Sequence, residues 1–250
     1  LGNRKIGLGV MGFADMLIRL DVAYDSGEAV DLAKEVMKAV SEEAFRVSGR
    51  LAEERGVYPH WQGSVHQRNG RVLRNATQTA VAPTGSISII AGTTPSIEPL
   101  FALAYRRSHV LGGRTLHEVS PLFRLAARQS GLDPEQIGER IRKTGSLADV
   151  DEVPDHLKEI FKTALQIPVE RHLKIQQAFQ QHVDNSVSKT INLPEDAGAK
   201  DVADAYRRAW KMGLKGITIY RYGSKSSQVL QVEERGDQGA TLASCEKCTV

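Results

Sequence analysis

Residues 77–92 read Thr77-Gln-Thr-Ala-Val-Ala-Pro-Thr-Gly-Ser-Ile-Ser-Ile-Ile-Ala-Gly92. The first six, TQTAVA, are rich in β-branched side chains and predict a strand. Pro83-Thr84-Gly85-Ser86 breaks that strand, and SIIAG after it predicts a helix start. Backbone N–H groups at a helix start have no intrahelical partner and attract anions. With the hydroxyls of Thr84, Ser86 and Ser88, the loop Ala82-Pro83-Thr84-Gly85-Ser86-Ile87-Ser88 reads as an anion cradle of phosphate size. It lacks the lysine of a Walker loop, so ATP hydrolysis is not indicated. An ordinary strand–helix turn with a capping hydroxyl gives the same pattern, and both readings stay open.

Upstream of this unit, residues 14–20 and 29–55 predict helices. In the second, Leu32, Val36, Ala39, Val40, Ala44, Val47 and Leu51 recur at helical spacing, and Gly56 stands where a helix-ending glycine belongs. Residues 57–75 read as loop, with Pro59, Gly63 and Asn69-Gly70. Gly7-Leu-Gly-Val-Met-Gly12 matches the dinucleotide fingerprint GxGxxG, with Asp31 roughly at the acid's place. The strand the fingerprint needs is missing, because the six preceding residues, LGNRKI, are polar and basic. The alternative is that these glycines let a helix start pack closely on a neighbour.

Downstream, 121–130 and 135–143 predict helices with Gly131 between them, and 151–154 a linker. Further helices are expected at 155–165 and 169–183, and an extended segment at 188–193. Residues 201–212 are amphipathic, with Val202, Ala205, Tyr206, Ala209 and Trp210 on one stripe. Gly213 ends that helix, and 216–222 (GITIYRY) predicts a strand. Beyond Ser224 the composition turns polar, so 224–250 is expected to be a flexible tail. Helices alternating with strands point to an α/β fold.

The chain has 250 residues, 41 % hydrophobic and 25 % charged, which is globular composition. No apolar run approaches membrane-spanning length, and no secretory leader is visible, so a cytoplasmic protein without a membrane partner is expected. The net charge of +3 says little about partners. Its distribution says more. Arg68, Arg71, Arg74, Arg106, Arg107 and Arg114 face one acid, Glu98, between residues 56 and 114. Forked arginines suit phosphate, although a solvated surface looks the same. The basic clusters are short and lack interleaved aromatics, which speaks against a nucleic-acid polymer.

The histidines show no metal-ligand spacing, and no metal site is expected. Asp184 reads as a cap, a core polar group or a catalytic acid. Two cysteines exclude a disulfide scaffold. They form Cys245-Glu-Lys-Cys248 at the C-terminus, which suits a redox shuttle, half a zinc site or an inert pair of thiols.

Several segments, taken in order, resemble ribonucleotide reductases, specifically the adenosylcobalamin-dependent (class II) enzymes. They are Arg4-Lys-Ile-Gly-Leu-Gly-Val-Met-Gly-Phe-Ala-Asp15, Arg74-Asn-Ala-Thr77, 82–91 and Ser96-Ile-Glu-Pro-Leu-Phe101. His172-Leu with Gln176 to Gln180, Asp184-Asn-Ser-Val-Ser-Lys-Thr-Ile-Asn-Leu-Pro194, and Gly213 to Ser224 with Gln228-Val-Leu230 complete the set.

The resemblance implies the C-terminal part of a ten-stranded α/β barrel over residues 1–223, followed by the tail at 224–250. It implies that 82–88 holds the substrate's phosphates and that GLGVMG lies on a barrel helix, which disposes of the dinucleotide reading. It implies reduction of ribonucleoside diphosphates to deoxyribonucleotides through a cysteine thiyl radical, with adenosylcobalamin as cofactor. Cys245 and Cys248 then correspond to the pair that re-reduces the active-site disulfide and is recharged by a thioredoxin-like reductant. A homodimer is common in the family.

Two departures stand out. The family's Asn-x-Cys-x-Glu is absent and no cysteine precedes Cys245, so the natural protein is expected to continue upstream of Leu1 and the isolated chain to be inactive. Residues 93–96 read Thr-Thr-Pro-Ser where a Ser-Ser-Gly-like turn is expected before Ile97-Glu98-Pro99. The rivals are a class I large subunit and a non-catalytic nucleotide-phosphate-binding module. Class I needs two adjacent tyrosines near the C-terminus, whereas Arg221 separates Tyr220 from Tyr222.

Overall fold

The computed structural model describes residues 2–110 and 114–224. They fall into two compact units, one of residues 2–101 with 152–224 and one of residues 102–151.

The first unit is built on four parallel extended segments in the order 6–8, 77–81, 187–193 and 218–221. Leu8 N donates to Gln78 O at 2.8 Å and Ala80 N returns a bond to Leu8 O at 3.0 Å. On its other edge, Val81 N donates to Ser186 O at 3.2 Å and Ser188 N donates to Val81 O at 2.9 Å. Strands β3 (Thr190–Leu193) and β4 (Thr218–Arg221) pair parallel, Thr190 opposite Thr218 and Leu193 opposite Arg221. The expected strand at 77–82 is thus an extended segment held by single bridges. The α/β class stands, with this run of four parallel segments and a further parallel bridge between Leu100 and Thr163 among the described residues.

Helix α1 (Phe13–Arg19) starts after Gly12, whose φ of 78° is left-handed. GLGVMG is therefore not helical, contrary to the expectation. It supplies the extended segment that enters α1, and Gly9 lies so close to the next strand that an added Cβ would overlap the Ala80 carbonyl oxygen. The glycines serve strand pairing. Helix α2 (Gly27–Arg55) is capped by Ser26, whose hydroxyl accepts from Ala29 N at 3.0 Å. Its deepest line is Ala29, Ala33, Met37, Ser48 and Ala52, with the expected Leu32-to-Leu51 stripe only flanking it. The small residues let α2 lie along α8 (Val169–Gln180). Phe13 meets Phe179 of α8 edge-on at 5.0 Å in the core between them.

The loop read at 57–75 contains a 3₁₀ turn (Pro59–Trp61) and the short helix α3 (Val65–Arg68). Helix α4 (Gly85–Ala91) follows the strand-end loop, and α7 (Asp155–Ile160) stops short of a separate 3₁₀ turn at Ala164–Gln166. Helix α9 (Ala199–Lys211) packs on α8 through Ala205 and Ala209. Tyr206 and Trp210, expected on the inward stripe, are 48 % and 78 % exposed. The buried stripe is narrower than the apolar one because close helix packing selects the alanines.

The second unit holds an antiparallel hairpin, β1 (Ala104–Val110) with β2 (Arg114–Val119), and helices α5 (Pro121–Gln129) and α6 (Pro134–Thr144). Asp133 caps α6, accepting from Glu135 N at 2.9 Å. Gly138 brings α6 against Val119 at the end of β2. The hairpin was not anticipated, although Gly112-Gly113 between two six-to-seven-residue runs is a hairpin signal.

Candidate phosphate site at the strand ends

Ligands of parallel α/β sheets bind beyond the carboxyl ends of the strands. At the carboxyl end of 77–81 the chain turns through exposed Ala82 and Pro83, and Thr84 adopts φ 53°, ψ 25°. A β-branched residue in the left-handed region is strained and requires support from its surroundings. The first bond inside α4 runs from Ser88 N to Thr84 O at 2.9 Å, so the N–H groups of Gly85, Ser86 and Ile87 precede the helical ladder. A Cβ on Gly85 would meet nothing within 4 Å, so the approach to these groups is open.

The three hydroxyls expected to face a phosphate divide. Thr84 Oγ1 accepts from Ser96 N at 2.7 Å, and buried Ser88 donates to Gly85 O at 3.1 Å. Ser86 is exposed, and among the described residues its hydroxyl stays free. Cys245 and Cys248 lie outside the described residues. Asp184 is neither a helix cap nor exposed. Its carboxylate accepts from Gln78 N at 2.7 Å and Thr79 N at 3.2 Å, pinning the 77–81 segment. Of the arginines expected near phosphate, Arg74 donates to the carbonyls of Arg55 and Gly56 at the end of α2, and Arg71 stacks over Phe45.

Behind the strand-end loop runs a strap, residues 94–98, which the sequence marked only as a departure at 93–96 and a family motif at 96–101, with no role attached. Thr94 N donates to Asp15 at 2.9 Å, and Gly12 N donates to Thr94 O at 2.8 Å. Ser96, at φ 49°, donates to Thr84. Tyr24 Oη donates to Ile97 O at 2.5 Å. Glu98 closes the strap, one carboxylate oxygen accepting from Lys189 Nζ at 2.6 Å and the other from Thr190 N at 2.7 Å.

Lys189 has a fully buried side chain. Its ammonium also donates to Thr190 O at 2.7 Å and to His172 Nδ1 at 3.0 Å, so three acceptors match its three hydrogens. Burial pushes the Lys189 pKa down, and the Glu98 carboxylate opposes that shift. Burial, then the neighbouring Lys189 charge, lowers the His172 pKa to about 3. His172 is therefore neutral, with its Nε2 hydrogen directed at Ala164 O, 3.1 Å away. A lysine inside the otherwise apolar and hydroxylic run Val187-to-Ile191 was the available signal. Among the described residues no group of three or more His, Cys, Asp or Glu side chains could hold a metal ion, and no helix is long and apolar enough to cross a membrane.

The pattern of the family described as "Ribonucleotide reductase, barrel domain" matches residues 1–72 and 67–220. The chain belongs to the ribonucleotide reductase barrel-domain family. It is 49 % identical over 228 residues to a vitamin B12-dependent ribonucleoside-diphosphate reductase of Thermoplasma acidophilum, covering 91 % of this chain and 29 % of that protein. A protein of the same name from Mycobacterium tuberculosis is 48 % identical over 91 % of this chain and 32 % of its own length. A ribonucleoside-diphosphate reductase subunit alpha of Chlamydia pneumoniae is 31 % identical. Among solved structures, the Actinobacillus ureae class Id ribonucleotide reductase alpha subunit matches with a TM-score of 0.72 at 28 % identity, over 88 % of this chain and 39 % of that one. The chain thus spans under a third of the length of the B12-dependent reductases it resembles. Membership in the reductase barrel-domain family removes the dinucleotide reading of GLGVMG.

Proposed function

We propose that these residues form the C-terminal part of the ten-stranded catalytic barrel of an adenosylcobalamin-dependent ribonucleoside-diphosphate reductase. The observation that carries this reading is the gap in identity. Three vitamin B12-dependent ribonucleoside-diphosphate reductases stand at 48–49 % and the subunit alpha relatives at 31–32 %, while a further B12-dependent reductase, of Streptomyces avermitilis, stands at 26 %. Arg221 between Tyr220 and Tyr222 supports the same choice over class I.

In this reading the loop 82–88 binds the diphosphate of the substrate. The N–H groups of Gly85, Ser86 and Ile87 and the Ser86 hydroxyl take the phosphate oxygens. The role of Thr84 and Ser88 is to shape the loop, because their hydroxyls are engaged within the protein. Anchoring the phosphates fixes the ribose, so that its 3′ hydrogen meets the thiyl cysteine at short range. That cysteine is not in this chain, where no cysteine precedes Cys245. The cofactor supplies the radical. The groove of about 690 Å³ beside α2 and that of about 430 Å³ at residues 2–5 include no residue of 82–88. The cofactor is proposed on the names of the relatives.

Cys245 and Cys248 act in this reading as the shuttle between a thioredoxin-like reductant and the active-site disulfide, and the whole enzyme works as a homodimer. Steady-state reduction of cytidine diphosphate by the whole enzyme tests the assignment. Cys245→Ser or Cys248→Ser should abolish turnover driven by thioredoxin and leave turnover driven by a small dithiol. Full thioredoxin-driven turnover in both variants would remove the shuttle.

A further inference from the structure

Among the described residues the strap at 94–98 is hydrogen-bonded to the strand-end loop by Ser96 N to Thr84 Oγ1 at 2.7 Å. That bond holds the one residue of the loop with a strained backbone, Thr84 at φ 53°. The conformation of Thr84 sets the direction of the next N–H groups, because a left-handed residue before a helix start turns successive N–H vectors toward a common point. The other end of the strap is fixed in the protein interior. Glu98 is bonded to Lys189 and Thr190 on β3, and Lys189 is bonded to His172 on α8. Asp15 holds the near end through Thr93 and Thr94 at 2.6 and 2.9 Å. Ile97, at the centre, is fully buried. The loop therefore leans on a rigid support made from α1, β3 and α8.

We propose that the strap, locked by the buried Glu98–Lys189 pair, is the positioning device of the phosphate cradle, and that Thr84, Ser96 and Glu98 are positioning residues for the substrate diphosphate. The inference rests on the reading of 82–88 as the phosphate loop. The Thr84 hydroxyl acts as an acceptor inside the protein. The ligand is met by N–H groups that are already oriented, so less ordering cost falls on binding.

Positioning and mere structural support make opposite demands at Thr84. Glycine adopts φ 53° without strain, so Thr84→Gly relieves the backbone while deleting the acceptor. In the whole enzyme, reducing cytidine diphosphate, Thr84→Gly and Thr84→Val should each raise KM about tenfold, the loss of one hydrogen bond's worth of order. They should leave kcat within about threefold, and Thr84→Gly should not lower Tm. Thr84→Ser keeps the acceptor and should restore KM to within about twofold. Glu98→Gln should raise KM in the same direction. The inference is overturned if both Thr84→Gly and Thr84→Val keep the parent KM, or if KM changes only in proportion to lost Tm. Ser86→Asp separates the two layers, since it puts a negative charge in the cradle. A raised KM in Ser86→Asp with silent Thr84 variants removes the strap's role and keeps the phosphate loop. An unchanged KM in Ser86→Asp removes the phosphate loop itself, and the inference with it.

Discussion

Gly9 illustrates how much a single hydrogen in place of a side chain decides. Its backbone lies against Ala80 O, so Gly9→Ala must push apart segments 6–8 and 77–81, at a cost of about 3 kcal/mol, the upper range for overpacking. At Gly7 the added Cβ would lie 2.8 Å from Ala80 Cβ, which moves only with its backbone, a milder overlap than the 2.0 Å at Gly9, so Gly7→Ala should cost less. Denaturant unfolding of the two variants gives the order directly. Ser96 makes the opposite case. At φ 49° it occupies the conformation that the family's glycine-like turn would relax, and its hydroxyl is buried with no partner. Ser96→Gly should therefore stabilise by about 1 kcal/mol, the left-handed penalty less the added chain entropy. His172 carries a pH signature. Its folded pKa of about 3 lies below the unfolded value of 6.5, so the unfolded state binds the extra proton between them. That contribution is complete above pH 6.5 and is lost as pH falls toward 3, at about 1.4 kcal/mol per unit. His172→Gln should flatten this part of a pH–Tm profile; an unchanged slope would place the titration elsewhere. The loop 82–88 was legible as strand, turn and helix because every part is local. The internal use of the Thr84 hydroxyl was not, because its partner Ser96 is brought back by a turn 12 residues on. The Glu98–Lys189 pair joins residues 91 apart, a distance only tertiary structure closes.

At the scale of elements, the long helices were readable and the short extended segments were not. Helix α2 begins within two residues of its expected start and ends where expected, since its apolar spacing and the closing Gly56 are local signals. GLGVMG looked like a helix start because its glycines and single methionine give no strand pattern, yet the ladder to 77–80 makes it extended. The backbone bonds outweigh the propensity. In α9 the apolar stripe was right in period and too wide, since Tyr206 and Trp210 stay outside the contact with α8. The hairpin β1–β2 was missed because its strands mix arginine and histidine with few apolar residues. The packing of α8 makes the element-scale prediction. Phe179 is fully buried and edge-on to Phe13, so Phe179→Ala should cost about 3–5 kcal/mol and lower Tm accordingly, while exposed Trp210→Ala should cost under about 0.5 kcal/mol. Equal losses would mean that the core is not between α1, α2 and α8.

For the whole molecule, the family was legible in the sequence because its motifs come in order along the chain. The number of barrel strands was not, because the chain covers under a third of its B12-dependent relatives' length and four parallel segments are described. A radical reductase needs its thiyl cysteine, and the 250 residues hold none before Cys245, so alone they should reduce no nucleotide. The central claim concerns the whole enzyme and its cofactor. Deoxycytidine diphosphate formed from cytidine diphosphate, measured with and without adenosylcobalamin and with no metal-containing partner subunit, tests it most directly. Product is expected only with adenosylcobalamin. Product that is indifferent to adenosylcobalamin and requires an iron- or manganese-containing subunit would contradict it.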